Sequence, residues 1–191
     1  YAEYQAALRA EVGRLLAAPL VLPDHEPRLH PMQSFAAQAI ANIHATLDQI
    51  ATGEFDAAAA LLADPARHVA VMGGRLTHAH ADYMATLLRV IRPGVTYVSD
   101  HLTDWQQALL DLRAGDVVVI FDIRRYEANA VHMAELAAQQ GAQVVLVTDH
   151  WLSPAAGHAH HTLPCRIDMP AAWDSTVTIL LLVEALLGRV Q

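Results

Sequence analysis

Asp122, Arg124 and Arg125 stand together just beyond an uninterrupted apolar run, Val117 to Phe121. Guanidinium groups present planar forks of donors that match carboxylates and phosphates, and a neighbouring carboxylate can orient an arginine or accept sugar hydroxyls. The same residue types also build local ion-pair networks or subunit interfaces, here with Glu127 and Asp149 as available partners. A second cluster, Gly73-Gly74-Arg75-Leu76-Thr77, combines glycines that let a backbone approach a phosphate with a guanidinium and a hydroxyl. Taken as geometry alone, it is a tight strand-to-helix turn. Neither G-x-G-x-x-G nor G-x-x-x-x-G-K-[ST] occurs, so nucleotide binding has no motif behind it. Two further polar groups follow apolar runs: Ser99-Asp100-His101, and Thr148-Asp149 with Ser153-Pro154 shortly after. Ser99 and Asp149 fit either ligand contacts or the commoner turn-capping role of such residues.

Other chemistry is less well supported. Of the 12 histidines, His78 and His80 are two apart, unlike the i, i+4 pair of a helical zinc motif. His158, His160 and His161 lack a carboxylate or cysteine at ligand spacing, so no metal and no cofactor is expected. No G-x-S-x-G elbow marks a nucleophile. Glu127, Glu135 and Glu184 are candidate bases in type only, and catalytic residues are expected to be absent.

The elements that must position these groups alternate. Strands are expected at His68 to Met72, Val95 to Val98, around Val117, Val144 to Val147 and His161 to Ile167. Helices are expected between and around them: Thr77 to Ile91, Asp104 to Leu112, Glu127 to Gln140, and a closing helix from Asp174 to Leu187 capped by Asp174 or Ser175. Ahead of the first strand, Ser34 is expected to cap a helix that runs to Thr52-Gly53, and Phe55 to Leu62 to form another, both leaning on the sheet. Val117, Val118, Val119 and Ile120 read as a strand buried on both faces, the mark of a parallel sheet. Together these predict an α/β fold, with the polar clusters converging beyond the carboxyl ends of the strands, where open sheets bind ligands. The closing helix is apolar nearly all round, which suits either a core helix or a dimer contact.

Composition bounds the function. The 191 residues, 54% apolar, supply a full core for one domain, and a formal charge of −8 opposes a nucleic-acid backbone over most of the surface. A single cysteine, Cys165, excludes an internal disulfide and fits a reducing, cytoplasmic setting. No secretory leader or membrane span is expected. Tyr4, Leu8, Val12 and Leu15 predict a helix over residues 1–16, followed by a proline-rich linker from Pro19 to Pro31. The expected division is therefore 1–31 as connector and 32–191 as the main domain.

From His68 to Leu187 the order of elements resembles a sugar isomerase (SIS) domain. The phrases Phe121-Asp-Ile-Arg-Arg-Tyr126, Val147-Thr-Asp149, Ser153-Pro154 and Trp173-Asp-Ser-Thr176 are similar to those of the RpiR-type bacterial transcriptional regulators, and residues 1–12 to the stretch that follows their DNA-binding domain. The resemblance implies a three-layer αβα sandwich around a mainly parallel five-stranded sheet of flavodoxin-like type, preceded by a helical connector. It implies a homodimeric effector-sensing domain for a phosphorylated sugar or related anionic carbohydrate metabolite, reaching DNA only through a helix-turn-helix domain ahead of Tyr1. The alternative within the same fold is an aldose-ketose sugar phosphate isomerase. The resemblance matches the family's first phosphate loop to Gly73 through Thr77, and together with the edge residues read above the expected ligand-binding set is Gly73, Gly74, Arg75, Thr77, Ser99, Asp122, Arg124, Arg125 and Asp149. The family's serine- and glycine-rich second loop falls at Phe121 to Glu127, where this chain has neither serine nor glycine.

Overall fold

The computed structural model describes residues 30–99, 104–170 and 173–191. The expected connector helix, nearly all of the linker, Asp100 and His101 lie outside these residues. In chain order the elements are α1 (Pro31–Gln49), α2 (Thr52–Ala63), β1 (Val69–Gly73), α3 (His78–Ile91), β2 (Val95–Val98), α4 (Asp104–Asp111), β3 (Val117–Asp122), α5 (Ala128–Gln139), β4 (Gln143–Asp149), a 3₁₀ turn (Pro154–His158), β5 (His161–Cys165) and α6 (Val177–Val190).

All five strands pair in parallel, in the order β2-β1-β3-β4-β5. Side chains alternate across a strand, so consecutive valines serve opposite cores. Val117, Val119 and Phe121 join α2, α3 and α6 on one face, while Val118 and Ile120 join α4, α5 and the 3₁₀ turn on the other. That double burial is why β1 and β3 carry no exposed residue. The three-layer α/β architecture expected from the sequence is the one observed.

Helix ends needed correction. α1 starts at Pro31, not Ser34: the His30 side chain accepts from the Met32 amide at 3.3 Å and Gln33 Oε1 accepts from the His30 amide, a capping box closed by proline's preset φ. α6 starts at Val177: Asp174 is drawn away to Arg124, and Ser175 stays ahead of the helix with its Oγ accepting from the Val177 amide, two residues on, at 3.4 Å. α1 leans, as expected, on the edge strand β5 of the sheet, and on α6, but not through its large apolar side chains. Its buried residues are Ala39, Asn42 and Thr46, whereas Phe35, Ile40 and Leu47 are exposed. Polar bonds add to this packing: Asn42 Nδ2 donates to Asp168 O at 2.7 Å, and Thr46 Oγ1 accepts from Arg166 N at 2.8 Å. α6, by contrast, buries Ile179, Leu182, Val183 and Leu186 within its own chain, against α2 and α3.

Candidate functional site

β1 and β3 are neighbours in space although β2 intervenes in sequence, and the chain leaves them in different directions at this switch of strand order. Such a switch opens a crevice at the carboxyl ends of the strands. Here it holds a cavity of about 320 Å³ lined by Gly74, Arg75, Leu76, Thr77, Asp122, Ile123, Arg124, Arg125 and Glu127.

The β1 side is built by close approach. A Cβ on Gly73 would lie 2.6 Å from the Thr77 carbonyl, so only glycine lets the chain fold back onto the start of α3. Gly74 N donates to Phe121 O at 3.1 Å and to Thr77 Oγ1 at 2.9 Å, and Thr77 Oγ1 donates to Phe121 O at 2.7 Å. Thr77 is thus buried and committed to tying the two loops together, although it borders the cavity.

On the β3 side the missing glycine has a counterpart in conformation. Arg125 adopts φ 71°, the left-handed region that non-glycine residues enter at a cost of about 1 kcal/mol or more. This aims the two arginines differently. Arg124 donates from its guanidinium to Asp174 and lies over the Trp151 ring at 4.5 Å, while its backbone amide donates to Asp149 Oδ2 at 2.5 Å. The ion pair expected with Glu127 or Asp149 is instead formed with Asp174. Arg125 and Arg75 are exposed, and their guanidinium groups make no ion pair among the described residues.

Two buried carboxylates frame the loops. Asp149 accepts from Arg124 N, from Tyr126 OH at 2.8 Å and from Trp151 N at 2.9 Å, and it is not among the cavity walls. Burial first, and then the bond to Asp149, pushes the Tyr126 phenol upward. Asp122 lines the cavity, accepts from Ser153 Oγ and takes Glu127 N at 3.2 Å. Burial raises its carboxyl above the ordinary aspartate value, with the bonds from Ser153 and Glu127 opposing. Ser99 lies away from the cavity and donates to Asp104 Oδ2 at 2.5 Å.

Of the nine expected residues, the cavity therefore gathers Gly74, Arg75, Thr77, Asp122, Arg124 and Arg125, supported from below by Gly73 and from the side by Asp149, and leaves out Ser99. Leu76, Ile123 and Glu127 complete the wall; Glu127 was read as a possible ion-pair partner or base and as the end of the second loop, but not as a partner of the glycine loop. Glu127 Oε1 accepts from Arg75 N at 2.6 Å, across 52 residues, and no spacing rule links positions so far apart. Among the described residues no group of three or more His, Cys, Asp or Glu is arranged to hold a metal. Several histidines have separate tasks: His78 Nδ1 bonds Arg75 O at 2.8 Å, His160 Nδ1 accepts from Val144 N at 3.0 Å, and His161 pairs with Glu54. Chemically, the cavity offers two guanidinium groups without an ion pair among the described residues, suited to an anion, and two carboxylates, Asp122 and Glu127, suited to hydroxyls.

No curated protein sequence matches the chain. Solved structures do. The sugar isomerase domain of an RpiR transcription factor from Sphaerobacter thermophilus superposes with a TM-score of 0.77 at 26% identity, covering 85% of this chain and 90% of that one. The Vibrio vulnificus NanR protein, complexed with ManNAc-6P, gives 0.71 at 18% identity over 98% of this chain and 67% of its own. Phosphoheptose isomerase GmhA from Neisseria gonorrhoeae gives 0.71 at 15% identity, covering 83% and 96%. The fold is thus shared by regulators and isomerases. The model of the SIS domain matches residues 62–189, which contain the whole sheet and every cavity wall, and the chain belongs to the SIS domain family.

Proposed function

We propose that this chain is the effector-sensing domain of a cytoplasmic transcriptional regulator, binding an anionic carbohydrate, phosphorylated or acidic, at the β1/β3 crevice. The observation that carries this reading is a pair of guanidinium groups, Arg75 and Arg125, that make no ion pair among the described residues and stand on the wall of a cavity at the switch point. Guanidinium forks left without an internal partner are suited to an external carboxylate or phosphate. Likeness to a regulator domain at 26% identity supports the regulatory role, and the ManNAc-6P complex of NanR supports the ligand class.

The same reading assigns residues 32–191 to effector binding and homodimer formation and residues 1–31 to a connector toward a DNA-binding domain. Dimerisation is supported by the outward apolar side chains of α1, Met32, Phe35, Ile40 and Leu47, beside a groove of about 270 Å³ lined in part by Ile50, Phe55 and Leu182. Among the described residues no helix is long and apolar enough to cross a membrane. Ligand binding would act by favouring one arrangement of the two subunits over another.

Thermal unfolding against a panel of sugar phosphates, free sugars and sugar acids tests the reading, since a ligand at about a hundred times its dissociation constant adds roughly 2.7 kcal/mol. A shift with an anionic sugar that disappears in Arg75→Ala and Arg125→Ala is the expected result; no shift with any of them would sink it. The isomerase alternative draws on one specific feature, the Glu127 carboxylate in the cavity wall, which is of a type able to move a proton between adjacent sugar carbons. Turnover of the stabilising compound separates the two.

A further inference from the structure

The start of α3 carries no anion of its own. Its first turn has no acidic residue, and the Thr77 hydroxyl, which would ordinarily cap it, is turned back to Phe121 O and Gly74 N. A helix N-terminus preceded by a glycine loop attracts negative charge. Glu127 supplies that charge from the other side of the crevice. Its Oε1 takes the Arg75 amide at 2.6 Å, and the carboxylate lies so close over Gly74 that an added Cβ there would stand 2.9 Å from Oε1 and 3.0 Å from Cδ. Its anchor is short, because Glu127 is the residue just before α5 and its own amide is held by Asp122. Yet the Glu127 carboxylate forms no ion pair with Arg75 or Arg125, which line the same cavity.

We propose that Glu127 is the specificity-determining residue of the crevice: an anion built into the chain that occupies the glycine loop, so that an incoming anionic group reaches the Arg75 amide only by displacing it. This rests on the reading of the crevice as an anion site. A phosphate would meet the Glu127 carboxylate at close range, and like charges side by side oppose binding strongly. The intact protein therefore holds small anions weakly at the loop and admits those whose remaining hydroxyls or second charge engage enough of the wall to move Glu127 aside.

Inorganic phosphate, titrated calorimetrically at constant ionic strength, is the probe. Glu127→Gln keeps the size and an acceptor for Arg75 N–H while removing the charge; Glu127→Ala empties the seat and guards against a specific fault of the amide. Both are expected to bind phosphate at least about tenfold more tightly than wild type, and Arg125→Ala in the Glu127→Gln background is expected to reverse the gain. Unchanged or weaker binding in both variants overturns the proposal, and so does a gain that survives loss of Arg125. Failure of the carbohydrate panel with a tenfold phosphate gain would sink the effector reading alone; an arginine-dependent carbohydrate shift without that gain would sink this inference alone.

Discussion

At the N-terminal edge of the sheet, Arg92 and Asp116 are buried and fully engaged. Arg92 donates to the carbonyls of Leu62 at 2.7 Å, Pro93 at 3.0 Å and Arg67, and Asp116 accepts the amides of His68 at 3.0 Å and Arg113 at 2.8 Å. At the C-terminal edge, Asp122 and Asp149 are buried as deeply and likewise hold loops, but Arg75 and Arg125 stand nearby with guanidinium groups that make no ion pair among the described residues. Both edges therefore use charge to pin connections that have no strand partners of their own. Arg113 at the N-terminal edge is exposed as well, but Arg75 and Arg125 line the cavity described above. Charge saturated by backbone groups is structure; charge in excess of internal partners, beside a cavity, is what a ligand can use.

The largest expected effect is at the saturated edge. Arg92→Ala leaves three carbonyls without their donor and is expected to cost about 3 kcal/mol in urea unfolding, with the carbohydrate response of the remaining folded protein unchanged. A loss of ligand response without a stability cost would break the contrast between the edges.

At the open edge the signs should separate. Arg125→Gly releases the left-handed strain at φ 71° and is expected to leave the protein equally stable or about 0.5 kcal/mol more stable, while abolishing the thermal shift with the anionic sugar. A destabilised variant would mean that Arg125 holds the fold.

The smallest effect concerns Asp122. Burial raises its folded-state pKa, so between the ordinary aspartate range and that raised value the folded chain binds more protons than the unfolded one, and stability falls as pH rises through the window. Asp122→Asn removes this fall, and its stability relative to wild type should increase from the acid side toward neutrality. The opposite slope would show that Ser153 and Glu127 N stabilise the carboxylate more than burial penalises it.

The strands were legible because their cause is local. Val117 to Ile120, apolar without a break, can only be buried on both sides, and Gly141 (φ 83°) and Gly115 (φ 88°) mark turns that their residue type alone announces. The limits of helices were legible less often. Ser34 and Asp174 are good caps by type, but His30 and Gln33 close the first helix earlier, and Arg124, 50 residues away, claims Asp174 before it can cap the last. Similarly, α1 leans on the sheet as its sequence suggests, but the positions it buries there are Ala39, Asn42 and Thr46 rather than its large apolar residues.

What the sequence alone determined is the α/β class, the parallel sheet and the edge at which polar residues collect, since periodicity and turn residues act within a few positions of themselves. Only the tertiary structure decided which arginine is spent and which is free, that Asp149 and Thr77 hold loops, and that Glu127 lies in the glycine loop. Those outcomes depend on partners 23 to 52 residues apart, brought together by a strand order that no local pattern encodes.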